Sequence, residues 1–419
     1  MRPHPGQIDC AANILAFLSG SKLARCVDKP KDTHMTGLFQ DRYATRTAPQ
    51  WIGPQIEDLA HAISQITREL NSTTDNPLVD TEDEHILHGG NFQAAVVTST
   101  MDRTRLCLDK LGRMLFAQGT EIINPMLNNS LPADLASDDP SLSFTCKGID
   151  INLASYASEL GFLANPVGNH VMSAEMHNQA INSLALISAR HTFQALDVLR
   201  ILSSAYLFVL CQALDLRVLQ LEFQKVAEVD VRGLIPEHFN SLPEKSCEAL
   251  HDAVWTKLMS VWPTTTSLDL SERCSKSSDA VMENVVKYFA SSDDPTPDLS
   301  QIMCFNKALK TALQSEYDRT RNTMYANHLN ITTSYLGKAS RRMYTFVRKD
   351  LAVRFHRGLI EHPTQPTEGK MSNEEAAQRK TIGGQVSIIY EALKDGRATD
   401  TMMVIIEESL KLQEQNKTT

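Results

Sequence analysis

From Asn169 to Arg232 the chain contains neither glycine nor proline, and around Ile187 to Val209 apolar residues appear on nearly every side. A helix over most of that run is on the order of 75 Å long or longer at ~1.5 Å per residue, whereas ordinary helices average about 11–12 residues. A rod of that length, apolar all round, has to be covered by other helices, so it predicts the centre of a large bundle within an oligomer. A two-stranded coiled coil does not fit, because the apolar positions are too dense and the charges beside them too sparse. The most apolar window, Ile201 to Leu210, is flanked by Asp197, Arg200 and Asp215. It is too short to span a bilayer, and no membrane partner is expected.

Helical spacing dominates the rest. Ile52, Ile56, Leu59, Ile63, Ile66 and Leu70 alternate in steps of four and three, a single stripe on one helix, ended by Asn71 and the Asp75-Asn76-Pro77 turn. Met101, Leu108, Leu111, Leu115 and Ile122 repeat the pattern up to Asn124-Pro125, and a further helix is expected from Ile151 to Gly161. Past Gly233 the pattern breaks at Pro236, Pro243 and Pro263, then at the exposed connector Asp293 to Asp298. Helical stretches resume over Gln301 to Asn327 and Ser340 to Leu351, a polar loop follows from Pro363 to Ala376, and Gln385 to Lys394 and Met402 to Leu412 close the chain as short amphipathic helices. The expected fold class is all-α.

A formal net charge of −9 gives no electrostatic reason for nucleic acid or an anionic membrane as partner. The eight cysteines are scattered, without a C-x-x-C pair or a close Cys/His cluster, so neither a metal site nor a disulfide framework is expected. The N-terminus makes a poor signal peptide, and the chain reads as cytoplasmic. Triplets beginning at Asn71, Asn128, Asn330 and Asn416 match the glycosylation pattern by accident in that setting.

Four polar clusters interrupt the apolar pattern. Gln40 to Arg46 offers a guanidinium fork for a carboxylate and, in Tyr43, a candidate acid or base. Asn76 and the His88-Gly89-Gly90-Asn91-Phe92-Gln93 run allow backbone to approach a ligand closely. Lys147-Gly148 precedes the Ile151 helix, and Glu175, Asn178 and Gln179, three and four apart near the start of the rod, are expected to share one helix face. Each has a plainer reading as a surface network, a turn, a solvated charge or a helix-terminus contact. The residues by themselves support an amino-acid site in a helical bundle.

Taken together and in order, Gln40 to Pro54, Asn71 to Leu78, His88 to Gln93, Lys147 to Pro166 and His170 to Arg190 resemble motifs of the phenylalanine, tyrosine and histidine ammonia-lyase superfamily. Lys147-Gly148-Ile149-Asp150-Ile151 and Ala213-Leu214-Asp215-Leu216-Arg217 look like the fungal phenylalanine ammonia-lyase branch, and the match runs on through Tyr344 to Arg348, Arg357-Gly358-Leu359 and Lys380 to Gly383. The resemblance implies a long-helix bundle of the ammonia-lyase/fumarase type. Its divisions are a bundle portion with substrate-binding motifs over 1–224, an inserted helical shielding-like region over 225–340, and returning helices over 341–419. It also implies a homotetramer that removes ammonia from L-phenylalanine, giving trans-cinnamate for phenylpropanoid-type or secondary metabolism, on a methylideneimidazolone electrophile built from an Ala-Ser-Gly triplet.

By position, the resemblance makes Arg46 the partner of the substrate carboxylate, and Gln40 and the catalytic candidate Tyr43 neighbours of the electrophile. Asn76, Lys147, Glu175 and Asn178 become ligand contacts, the glutamate near the amino group. Phe92 and Gln179 line the site, and Ile151 packs near the aromatic ring. No Ala-Ser-Gly occurs in the sequence; Leu18-Ser19-Gly20 is the nearest echo. The expectation is therefore a C-terminal portion of such a lyase, inactive alone. The competing expectations are a non-catalytic helical scaffold co-assembling with a complete, full-length lyase, an aminomutase of the same superfamily, and a degenerate remnant.

Overall fold

The computed structural model describes residues 2–24, 40–364 and 379–418. Its helices are α1 (Pro5–Leu18), α2 (Tyr43–Arg46), α3 (Ala48–Leu70), α4 (Ala95–Ile123), α5 (Lys147–Leu163), α6 (Ala185–His238), α7 (Glu244–Val261), α8 (Leu270–Ser291), α9 (Leu299–Thr333), α10 (Lys338–Thr345), α11 (Ile382–Lys394) and α12 (Arg397–Thr418). The strands among the described residues are β1 (Leu78–Asp80) and β2 (His85–Leu87), an antiparallel hairpin. The fold is all-α, as the helical spacing predicts. Most of the loop expected over Pro363–Ala376 lies outside the described residues.

The central rod is present with different ends. Helix α6 has 54 residues, about 80 Å at 1.5 Å per residue. It begins at Ala185 rather than near Asn169, because the intervening Ser, Asn and His side chains bond locally and compete with the helix. Ser173 Oγ lies 2.9 Å from His177 Nδ1, and Asn178 Nδ2 donates to Glu175 Oε2 at 3.1 Å. At the other end α6 runs on through Gly233 and Pro236, and residues 224 and 225 lie inside it.

By length and apolar content α6 could cross a bilayer; here it packs against α4, α5, α9 and α11. Its middle carries the buried polar residues Ser204, Gln212 and Asp215. Gln212 is satisfied by the backbone of His356 (N–H and C=O, both 3.0 Å) and the Leu135 carbonyl.

Helix α4 is the platform for the site. Helix α3 runs antiparallel to it: Trp51 Nε1 donates to the Lys110 carbonyl at 2.7 Å, and Thr100 Oγ1 donates to Gln65 at 3.0 Å. Helix α5 is antiparallel as well, with Leu160 against Gly112 and Leu153 against Gly119. Helix α6 runs parallel, from Ser188 beside Asp102 to Tyr206 beside Gln118. Helix α8 packs against α7 and α9, and Phe223 of α6, Trp262 just past α7 and Tyr317 of α9 stack together with rings 4.8 to 5.9 Å apart. The Arg273 guanidinium stacks 3.9 Å over Trp262, which accommodates a buried cation.

Candidate functional site

At the C-terminal end of α4 stands the cluster expected to grip a carboxylate. Ala44 and Ala48 are buried against Met114, which presses the short helix α2 onto α4. Gln118 fixes α2 by donating to the Ala44 carbonyl at 3.2 Å while accepting from Tyr206 OH at 2.7 Å. Arg42 Nε donates to the Leu127 carbonyl at 3.0 Å. Held in this way, α2 turns Tyr43 and Arg46 outward; Tyr43 is 70% exposed, and the guanidinium carbon lies 5.5 Å from its ring centroid. Gln40 precedes them, also exposed.

Because α5 is antiparallel to α4, its first turn comes to the same end. Lys147 begins α5, with Nζ 4.6 Å over the Phe144 ring, and Ile151 follows one turn later, 64% exposed. A lysine at a helix N-terminus adds to the positive end of the helix dipole instead of offsetting it, so this end of the molecule favours an anionic group.

The N-terminal end of α4 carries the other motifs. Asp75 ties two of them together: its carboxylate accepts from the Gly89 N–H at 2.8 Å and the Asn91 N–H at 2.9 Å. Asn76, whose bond to Pro77 is cis, and Phe92 are thereby brought onto one patch. Beside them lies the segment between α5 and α6, where Gln93 Nε2 reaches the Ile181 carbonyl at 3.5 Å.

The expectation that Glu175, Asn178 and Gln179 share one face of the rod is corrected here. They sit in a loop, pinched by backbone hydrogen bonds between Ala174 and Gln179 (2.8 and 3.2 Å). Glu175, Met176 and His177 have φ of 51°, 49° and 71°, a left-handed run that no helix can contain. The convergence survives by other means, since the turn itself brings Asn178 onto Glu175.

The ten expected site residues thus form two patches, not one pocket. Gln40, Tyr43, Arg46, Lys147 and Ile151 stand at one end of α4, and Asn76, Phe92, Glu175, Asn178 and Gln179 at the other. Gln118, which serves the first patch, and Thr98, which serves the second, are separated by about 30 Å of helix at 1.5 Å per residue. All ten are exposed. Sequence reasoning missed Asp75, which reads as a turn residue within a quoted motif. It also missed Gln118, one polar position on α4 whose partners are distant in sequence. Among the described residues no group of three or more His, Cys, Asp or Glu is placed to hold a metal ion.

The comparisons with known proteins identify the family. The sequence model of the aromatic amino acid lyase family matches residues 1–231. A phenylalanine ammonia-lyase of Aspergillus lentulus is 46% identical over 96% of this chain, and one of Aspergillus hancockii 44% identical over 97%. A phenylalanine aminomutase of Talaromyces islandicus is 44% identical over 97%. This chain spans 56% to 58% of the length of those three relatives. A crystal structure of phenylalanine ammonia-lyase from Rhodosporidium toruloides is 40% identical, with a TM-score of 0.85 over 97% of this chain and 60% of that one. With a family match over more than half of its length and a bundle that superposes on a solved lyase, the chain belongs to the aromatic amino acid lyase family.

Proposed function

We propose that this chain takes part in the non-oxidative deamination of L-phenylalanine to trans-cinnamate and ammonia, within an assembly of several chains in the cytoplasm. One observation carries the proposal: the residues suited to hold an aromatic amino acid lie in two exposed patches at opposite ends of α4. A complete site then takes one patch from one chain and the other from a neighbour, in a homotetramer or beside a full-length lyase subunit. The seven described cysteines are all free, which suits a reducing compartment.

In such a site Arg46 clamps the carboxylate and Lys147 adds positive charge beside it. Ile151 and Phe92 flank the ring, and Glu175, supported by Asn178, faces the amino group that must leave. Holding the substrate between two chains fixes the β-carbon and the amine in one geometry, which is where positioning contributes to rate.

The family's methylideneimidazolone supplies the electrophile in the complete enzyme. The residues here do not build it: the sequence lacks Ala-Ser-Gly. Leu18-Ser19-Gly20 ends α1, with Gly20 at φ 76°. No step is therefore routed through that group, and the chain's share of the chemistry is binding and orientation.

The test is complementation. The purified chain is incubated with L-phenylalanine, alone and after co-expression with a complete lyase subunit whose matching carboxylate-binding arginine is replaced by alanine. Cinnamate, followed by its ultraviolet absorbance, is expected only from the co-assembly. A co-assembly that forms yet yields no cinnamate overturns the proposal; cinnamate from the chain alone overturns the view that the missing triplet is essential. The similarity to the Talaromyces aminomutase favours a second reading, in which the product is β-phenylalanine, and chromatography of the same reactions separates the two.

A further inference from the structure

The loop from Asn165 to Leu184 carries Glu175, Asn178 and Gln179, yet residues 169–182 have little hydrogen-bonded support from the other described residues. Among the described residues, apart from Gln93 reaching Ile181 and the His170 N–H donating to the Val167 carbonyl at 3.0 Å, the hydrogen bonds of that stretch are internal: Ala174 with Gln179, Asn178 with Glu175, Ser173 with His177, and Asn182 with the Met172 carbonyl. A run of left-handed residues persists only where its surroundings dictate it. What dictates it is at the two ends of the loop.

Both ends are fastened to the same two turns of α4. Asp102 Oδ2 accepts from the Val167 and Gly168 N–H groups, each at 3.1 Å, at the entry. Its Oδ1 accepts from Ser188 Oγ at 2.7 Å, just past the exit. Thr98 Oγ1 donates to the Ser183 carbonyl. Arg105, fully buried, donates to the carbonyls of Leu163 (2.7 Å), Asn165 (3.2 Å) and Ser188 (2.8 Å) and pairs with Asp102. One carboxylate therefore closes the loop's base, satisfying two backbone donors, a hydroxyl and a buried guanidinium together.

We infer that Asp102 is a positioning residue, whose carboxylate sets where Glu175, Asn178 and Gln179 stand against Asn76 and Phe92. This rests on the reading of those five as ligand-holding residues. Asp102 itself lies beneath the loop, 14% exposed, and acts through the backbone of Val167 and Gly168.

The experiment is hydrogen exchange by mass spectrometry on the whole chain, with Asp102→Asn and Thr98→Val. An asparagine oxygen can replace Oδ2 toward Val167 and Gly168, but its amide nitrogen then faces the Arg105 guanidinium where Oδ1 accepted, so entry and exit are no longer joined through one carboxylate. The hydrogen-bonded amides of His170, Ala174, Asn178 and Gln179 are expected to exchange roughly ten-fold faster or more in Asp102→Asn, with those of α9 unchanged. Thr98→Val, which loses only the Ser183 anchor, is expected to raise exchange near the loop's exit alone. In a cinnamate-forming co-assembly, Asp102→Asn is expected to lower kcat by about ten-fold, with KM within about three-fold because Arg46 still binds the carboxylate.

Unchanged loop exchange, or acceleration spread over α9 as well, overturns the inference whatever the co-assembly does. Selective loosening with kcat intact overturns the link to chemistry. The exchange arm needs no activity, so a failure of the functional proposal shows separately.

Discussion

Asp215 and Arg348 are both fully enclosed, and their side chains meet at 2.6 Å across 133 residues of sequence. Thr332 Oγ1 donates to the same carboxylate at 2.8 Å and Tyr344 OH donates to it as well, so α6, α9 and α10 share one anion. Burial, and then Asp215 beside it, push the Tyr344 phenol well above its usual range, which keeps it a donor. Removing one partner of such a pair leaves an uncompensated charge. Arg348→Ala is expected to destabilise the chain by about 3–5 kcal/mol, read from urea unfolding; a loss below about 1 kcal/mol would place the stability elsewhere.

Both residues stand in motifs legible in the sequence, Ala213 to Arg217 and Tyr344 to Arg348. Their pairing was not legible, because nothing local to either records a partner so far along the chain.

Nearby, burial pushes the His356 imidazole down to about 4, only partly opposed by Glu361. The unfolded chain binds that proton near pH 6.5, and the folded chain refuses it until about pH 4. The stabilisation from a neutral His356 is therefore complete above pH 6.5 and lost as pH falls toward 4, to a total on the order of 3 kcal/mol. Burial lowers the His328 pKa too, in the same direction. Unfolding free energy measured from pH 7 to 4 is expected to fall steeply, and His356→Asn to flatten that slope. An unchanged slope would count against the assignment.

Elements were more legible than their ends. The stripe from Ile52 to Leu70 does lie on one helix, α3, and the stretch after His238 does resolve into separate helices at Pro243 and Pro263, though not at Pro236. The periodicity reports which residues share a face, whereas a helix start depends on local competition, and at Asn169 to Leu184 the side chains won. The connector Asp293 to Asp298 hid a start signal of its own. Asp298 accepts from the Gln301 N–H at 2.7 Å while Gln301 returns a bond to the Asp298 N–H at 3.0 Å, a reciprocal cap for α9. Asp298→Ala is expected to cost about 1 kcal/mol in thermal or chemical unfolding.

The crossing of α1 and α3 likewise turns on Gly6 and Gly53, whose backbones touch: a Cβ on Gly53 would stand 2.6 Å from the Gln7 nitrogen. In an isolated helix Gly53→Ala would be favourable by about 1 kcal/mol. Here the added methyl has to push the two helix backbones apart, so a net loss of about 1–2 kcal/mol is expected, with faster hydrogen exchange confined to α1.

At the scale of the molecule, large apolar side chains stand exposed on α3 and α6 beside the N-terminal end of α4. Ile63 and Leu70 on α3 are 68% and 79% exposed, and Leu186 and Phe193 on the first turns of α6 are 72% and 70% exposed. Each pair is seven residues apart, so its two members lie on one face of their helix. In the sequence these positions look like core, and the periodicity was right about their chemistry and silent about which chain covers them. A monomer would leave both rows in water beside site residues that do not meet one another. Pairing the rows with other copies would remove that apolar area from water. Sedimentation velocity at micromolar concentration is accordingly expected to show an oligomer, and Ile63→Lys combined with Phe193→Lys to shift it toward monomer while circular dichroism stays helical. A wild-type chain that sediments as a well-folded monomer would rule out the homo-oligomeric route and leave co-assembly with a full-length lyase subunit as the way to bring the two patches together.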